Sequence, residues 1–139
     1  MNNYLSNPKK MTIVLPSIDE NEVRDVDKRE EADGIIYSGQ MKIIIEGGEE
    51  RWLKHGFGTQ LWPDLTKYVG DWRDDFATGR GTFYYKNGDI YIGEFLKDKA
   101  NGYGAFIHEN GNRYEGFWRD DVQEGEGTEE LEDGSKYEG

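Results

Sequence analysis

Cysteine is absent, and proline and histidine are scarce, at 3 and 2 residues. Without cysteine there is no disulfide framework and no thiolate metal site. Long apolar runs are missing as well. The stretch Met11-Thr12-Ile13-Val14-Leu15 is too short for a signal-peptide core or a membrane span. Positive charge is in short supply: 17 Lys and Arg stand against 29 Asp and Glu, a net charge of −12. That charge divides into −3 over residues 1–36 and −9 beyond them, and from Asp120 onward only Lys136 offsets nine acidic residues. Nucleic acid and anionic lipid are both repelled by such a chain, so nucleic-acid binding is excluded and direct membrane binding is disfavoured. A basic partner is permitted, and the acid also keeps the chain soluble. The expectation is a soluble, cytoplasmic protein.

Catalytic patterns are equally thin. His55 and His108 have no cysteine and no helix-spaced histidine beside them, so His108 reads as a ring substitute rather than a metal ligand. Asp74-Asp75 and Asp120-Asp121 recur at equivalent places before a loop, where Lys97-Asp98-Lys99 stands in between, and read as solvated turn carboxylates. Gly79-Arg80-Gly81 lacks the lysine and the helix that a phosphate loop needs. No serine or lysine sits where a neighbour could activate it. The chain is therefore expected not to be an enzyme, with no cofactor and no metal.

What the chain does have is an echo of 23 residues: Tyr68-Val69-Gly70-Asp71-Trp72 returns as Tyr91-Ile92-Gly93-Glu94-Phe95 and as Tyr114-Glu115-Gly116-Phe117-Trp118. Gly79-Arg80-Gly81-Thr82-Phe83 likewise recurs at Gly102 and, more loosely, at Gly125. Turns close the units at Asn87-Gly88, Asn110-Gly111 and Asp133-Gly134. Tyr37-Ser38-Gly39 with His55-Gly56-Phe57-Gly58-Thr59 forms an earlier copy whose two halves lie eight residues further apart, through an insertion at roughly 42–52. The organisation is thus an array at 37–139: an irregular repeat at 37–67, regular repeats at 68–90, 91–113 and 114–136, and the start of another at 137–139. Stacking repeats bury a core only against their neighbours.

Within a unit the pattern alternates with a period of two, as in strands. A two-residue loop at Asn87-Gly88 would set Tyr84 opposite Tyr91 and mix the faces. A three-residue loop, Lys86-Asn87-Gly88, sets Phe83 opposite Tyr91 and gathers rings and glycines on one face, so it is preferred. Asp71, Arg73, Arg80, Thr82 and Glu94 then share the opposite, largely polar face. Glycine inside a strand is normally destabilising; here it leaves room for a neighbouring ring to lie over the backbone. Apolar residues are only 35% of the chain and aromatics 14%, which suits a thin sheet covered by rings. The fold class expected is all-β: an elongated, curved, single-layer antiparallel meander. Residues 1–36 do not share the repeat. Met11–Leu15 could be a strand or docking peptide, and Ser17 with Glu20 fits a capping box for a short helix, but a mobile or partner-ordered arm is preferred.

These residues resemble the MORN repeat, the membrane occupation and recognition nexus. Its pattern of Tyr-x-Gly-x-Trp/Phe, Gly-x-Gly-Thr, an aromatic pair and Asp/Asn-Gly fits 68–90 almost throughout. The next unit has Ala105 for Thr and His108 for the second ring; the last has Glu129 and Leu131 in place of the pair; the first has Met41 at the third alternate position, with Gln60 and Trp62 after its glycines. The resemblance implies a curved β-hairpin array that serves as a scaffold or interaction module. Such modules are found in ciliary axonemes, cytoskeletal assemblies and membrane junctions, and as accessory segments of enzymes such as lipid kinases.

The function expected is a non-enzymatic scaffold in a multi-subunit assembly, in a cilium, axoneme or cytoskeleton, with protein partners held on the aromatic face. Tyr68, Trp72, Tyr91, Phe95, Tyr114 and Trp118 would receive the partner, with Phe83 and Phe106 beside them. The alternatives are a phosphoinositide or membrane tether and an accessory subunit of a lipid kinase. If rings do lie over glycine, Gly93→Val lowers the melting temperature well beyond Glu94→Val; equal and small effects in thermal denaturation would contradict that account.

Overall fold

The computed structural model describes residues 23–139. The expected meander is what the chain forms: one open antiparallel sheet of 10 strands, each beside its sequence neighbour. In order these are β1 (Val23–Glu30), β2 (Ile36–Glu46), β3 (Glu49–Leu61), β4 (Lys67–Arg73), β5 (Phe76–Tyr84), β6 (Ile90–Leu96), β7 (Lys99–Ile107), β8 (Arg113–Arg119), β9 (Val122–Glu130) and β10 (Lys136–Glu138). Met11–Leu15 and the Ser17–Glu20 pair lie outside the described residues.

Two kinds of turn alternate along the sheet. Within a repeat the strands are joined by two residues, Asp74-Asp75, Lys97-Asp98 or Asp120-Asp121, all with positive φ between 48° and 76°. That is the hairpin geometry whose twist matches the strands, and aspartate tolerates it better than most residues. Between repeats the loop has three residues. Tyr85 N donates to Asp89 O at 2.9 Å and Gly88 N to Tyr85 O at 3.1 Å, with Gly88 at φ +99°. This is the bulged loop that places Phe83 opposite Tyr91.

The turn carboxylates were expected to be merely solvated, and for the second member of each pair the structure corrects this. Asp75 Oδ1 accepts from Lys54 N at 2.7 Å, Asp98 Oδ1 from Ala77 N at 2.8 Å and Asp121 Oδ1 from Ala100 N at 2.7 Å. The same aspartates donate their own amides back to Lys54 O, Ala77 O and Ala100 O at 2.9–3.0 Å. Each turn is therefore clipped to the hairpin before it. On the opposite margin Asp89 Oδ1 accepts from Glu109 N at 2.9 Å and Asn112 Oδ1 from Glu132 N at 3.0 Å, clipping each loop to the one after it.

The insertion lengthens a hairpin without disturbing the array. β2 and β3 have 11 and 13 residues where β4 and β5 have 7 and 9. The eight extra residues are thus shared equally between two strands that still close through a two-residue turn, Gly47-Gly48, at φ +59° and +81°. The charged segment before the repeats also differs from expectation. Residues 23–30 are not a separate arm but an edge strand, pairing Val23 with Lys42 through Glu30 with Ile36. Arg24 and Val26 fall on one side of this strand, where Val26 packs against the core and the guanidinium groups of Arg24 and Arg29 lie 5.9 and 5.6 Å from the Trp52 ring. Burial alternates as a strand requires, with Arg24 and Val26 half-buried and Val23 on the exposed side.

The clips give a quantitative expectation. Asp98→Ala removes an acceptor and places alanine at φ +74°, which should cost about 1–2 kcal/mol. Asp98→Asn keeps an acceptor at a residue type that tolerates this backbone and should cost less than half as much, read from urea denaturation midpoints.

Candidate functional site

Each repeat is built around a tyrosine laid on a pair of glycines. Gly39 faces Gly58, Gly70 faces Gly81, Gly93 faces Gly104 and Gly116 faces Gly127 across neighbouring strands. A Cβ added to Gly58, Gly81, Gly104 or Gly127 would run into the ring of Tyr37, Tyr68, Tyr91 or Tyr114. At Gly93 it would come within 2.5 Å of Gly104 Cα and 2.6 Å of Tyr103 O, backbone atoms that cannot step aside.

Three of the four tyrosine hydroxyls are tied down on the strand that carries them. Tyr37 Oη donates to Gln40 O at 2.7 Å, Tyr68 Oη to Asp71 O at 2.8 Å and Tyr91 Oη to Glu94 O at 3.0 Å. Gln40, Asp71 and Glu94 are the residues skipped by the ladder at each register shift. Their side chains then satisfy the strand opposite, accepting from Phe57 N, Arg80 N and Tyr103 N at 2.8, 3.1 and 2.9 Å. In the last unit Phe117 takes this place, pairs with Glu124, and leaves the register shifted differently.

Rings on this face fall into two rows. The deep row is continuous: Tyr37–Trp72, Trp72–Tyr68, Tyr68–Phe95, Phe95–Tyr91, Tyr91–Trp118 and Trp118–Tyr114 have centroids 5.0–5.6 Å apart and planes 84–88° apart. Edge-to-face pairs of this kind add about 0.5–1.5 kcal/mol each beyond the area they bury. The indoles of Trp72 and Trp118 also donate to Gly58 O and Gly104 O, both at 3.1 Å. The second row runs beside it through Trp62, Phe83, Tyr85, Phe106 and His108, with centroids 4.7–5.7 Å apart.

The eight residues singled out in the sequence divide between these rows. Tyr68, Trp72, Tyr91, Phe95 and Trp118 are at most 8% exposed, and Tyr114 joins them at the end of the deep row, partly buried. Phe83 and Phe106, also partly buried, belong to the second row. Its outer members, Tyr85 at 41% exposure and His108, are open to solvent. Trp62, Tyr85 and His108 were not among the expected contacts, yet they share one position of the 23-residue period, two residues after Gln60, Phe83 and Phe106. His55 instead serves the fold: its Nδ1 accepts from Asp74 N at 3.2 Å, and its pKa is lowered, chiefly by burial.

A cavity of about 210 Å³ opens on the ring face where the irregular repeat meets the first regular one, with Lys54, Gln60, Trp62 and Phe83 in its wall. Among the described residues no group of three or more His, Asp or Glu side chains is arranged to hold a metal ion. No helix there is long and apolar enough to cross a membrane.

A family model of the MORN repeat matches residues 53–67, 68–90, 91–113 and 114–136. No curated protein matches the chain.

Burial sets the protonation of the tyrosines. The Tyr91 hydroxyl is pushed up from 10.0 to about 12 by burial first and by Glu94 second, and those of Tyr37 and Tyr68 are raised further, again chiefly by burial. An unfolded chain releases this proton near the ordinary value, while the folded one holds it. The stabilisation is therefore complete below pH 10 and lost as pH rises toward 12. The melting temperature should fall across that window, with tyrosinate absorbance appearing alongside unfolding. Tyr91→Phe should start about 1 kcal/mol less stable, having lost its hydrogen bond, and fall less steeply.

Proposed function

This chain belongs to the MORN repeat family, and on that footing we propose that it is a non-enzymatic scaffold that receives a segment of a partner protein along its ring face. MORN repeats serve as protein-interaction or membrane-associated modules and are generally non-catalytic. The observation that carries the protein-binding reading is the second ring row. Tyr85 and His108 stand exposed one repeat apart, Tyr85 against Phe83 and Phe106 and His108 against Phe106, phenylalanines that are themselves partly buried on the core. Rigid rings that lose little freedom on contact are efficient anchors. A partner segment lying across the strands would meet one such anchor per repeat.

The surroundings favour protein over lipid. A net charge of −12 opposes approach to an anionic bilayer and assists approach of a basic segment. As the setting of the assembly we propose a cilium or the cytoskeleton, supported by the places in which proteins with this repeat pattern are found.

Cross-linking and mass spectrometry from a native extract tests the reading. Contacts should gather on the ring face, and Tyr85→Ala combined with His108→Ala should lower partner recovery at least tenfold. Phe57→Ala combined with Phe117→Ala removes the 55% and 56% exposed rings of the opposite face and should leave recovery unchanged. The reverse pattern would overturn the assignment.

A further inference from the structure

The cavity on the ring face is made by two departures from the repeat. Lys54 stands opposite Met41 where Ala77 stands opposite Trp72 and Ala100 opposite Phe95. Gln60 stands between Tyr37 and Tyr68, at the place that Phe83 and Phe106 hold in the regular repeats. Lys54 is spoken for: its Nζ donates to Glu31 Oε1 at 2.8 Å and lies 5.3 Å from the Trp72 ring and 5.4 Å from the Tyr37 ring. Gln60 is not. It is 7% exposed, lines the cavity, and its Oε1 is buried without a hydrogen-bond partner among the described residues. A buried acceptor left unpaired costs about 1–3 kcal/mol, where a phenylalanine would have cost nothing of the kind.

We propose that this cavity takes an arginine side chain from the segment docked on the ring face, its guanidinium donating to Gln60 Oε1. The inference rests on the docking reading above and specifies its chemistry. Four features of the wall agree on this occupant. The acceptor needs a donor. Trp62 and Phe83 offer flat rings, which suit a planar cation. Asp75 and Asp98 line the same cavity, and with the Lys54–Glu31 pair neutral in sum they leave a formal charge of −2 around it. Each carboxylate has one oxygen engaged by a backbone amide, Oδ1 in both cases, which fixes the group in position. A guanidinium carries five donors in one plane and can address the amide oxygen and a carboxylate together, which an ammonium on a flexible stem does less well.

The test uses the capped tripeptide acetyl-Ala-Arg-Ala-amide and its citrulline and lysine counterparts, titrated into the ¹⁵N-labelled protein. The arginine peptide should move the indole resonances of Trp62 and Trp72 and the Gln60 side-chain amide saturably. Citrulline, which keeps the shape and loses the charge, should bind at least tenfold more weakly, and lysine several-fold more weakly. Gln60→Leu should lower arginine-peptide affinity about tenfold while raising the melting temperature, because it removes an unpaired group. Asp98→Asn, which keeps the turn clip, should lower affinity several-fold. Equal responses to arginine and citrulline, or full binding by folded Gln60→Leu, would overturn the proposal. Shifts confined to Tyr85, Phe106 and Trp118 would overturn it too, while leaving docking on the ring face intact.

Discussion

Everything in this sheet depends on a tyrosine ring being able to lie flat on two facing glycines. A sheet with no second layer has nothing to pack against except its own side chains, and ordinary side chains standing upright would leave their flanks wet. Removing the Cβ from both members of a cross-strand pair opens a slot at Gly70–Gly81 and at Gly93–Gly104, and the ring that fills it comes from the neighbouring position on the same strand. The hydroxyl then lands on the carbonyl of the residue skipped by the ladder, so the register shift is part of the same device. Asp71 and Glu94 complete it by capping the amide that the shift leaves facing them.

Once the rings lie down they also touch one another edge to face, and the period of the repeat turns a set of local slots into one row from Tyr37 to Tyr114. Stability is then shared along the array rather than held in a centre. The row takes seven of the 19 aromatic residues of the chain and buries all but Tyr114 almost completely. On this face the proposed docking surface is the second row, which runs beside the first, together with the cavity where Lys54 and Gln60 replace the residues of the regular repeat. In the proposed docking mode the second row supplies the exposed anchors, while the deep-row rings Tyr68, Trp72 and Phe95 hold the sheet together and form part of the cavity wall.

The period, the turn residues and the alternation were enough to read the single-layer meander and the Phe83–Tyr91 register from the chain alone, because each of these is a local property repeated several times. The face bearing the rings was legible for the same reason. Which rings face solvent was not, since alternation puts Tyr68 and Tyr85 on the same face and only the packing of neighbouring repeats buries the first and leaves the second 41% exposed. The role of Asp75, Asp98 and Asp121 was hidden because their acceptors reach 21 residues back, a relation fixed by strand order. The strand at 23–30 escaped notice because Val23 and Val26 are too few to show a period, and its place is set by the edge of β2.

Ring-current shifts of the glycine Hα protons measure the central contact directly. The account predicts strong upfield displacement at Gly58, Gly81, Gly104 and Gly127, each beneath a tyrosine, and ordinary strand values at Gly47, Gly48 and Gly134, which have nothing near them. Ordinary shifts at all of these positions in the folded protein would mean that the rings do not lie on the glycines, and the explanation of the repeat given by that contact would be wrong.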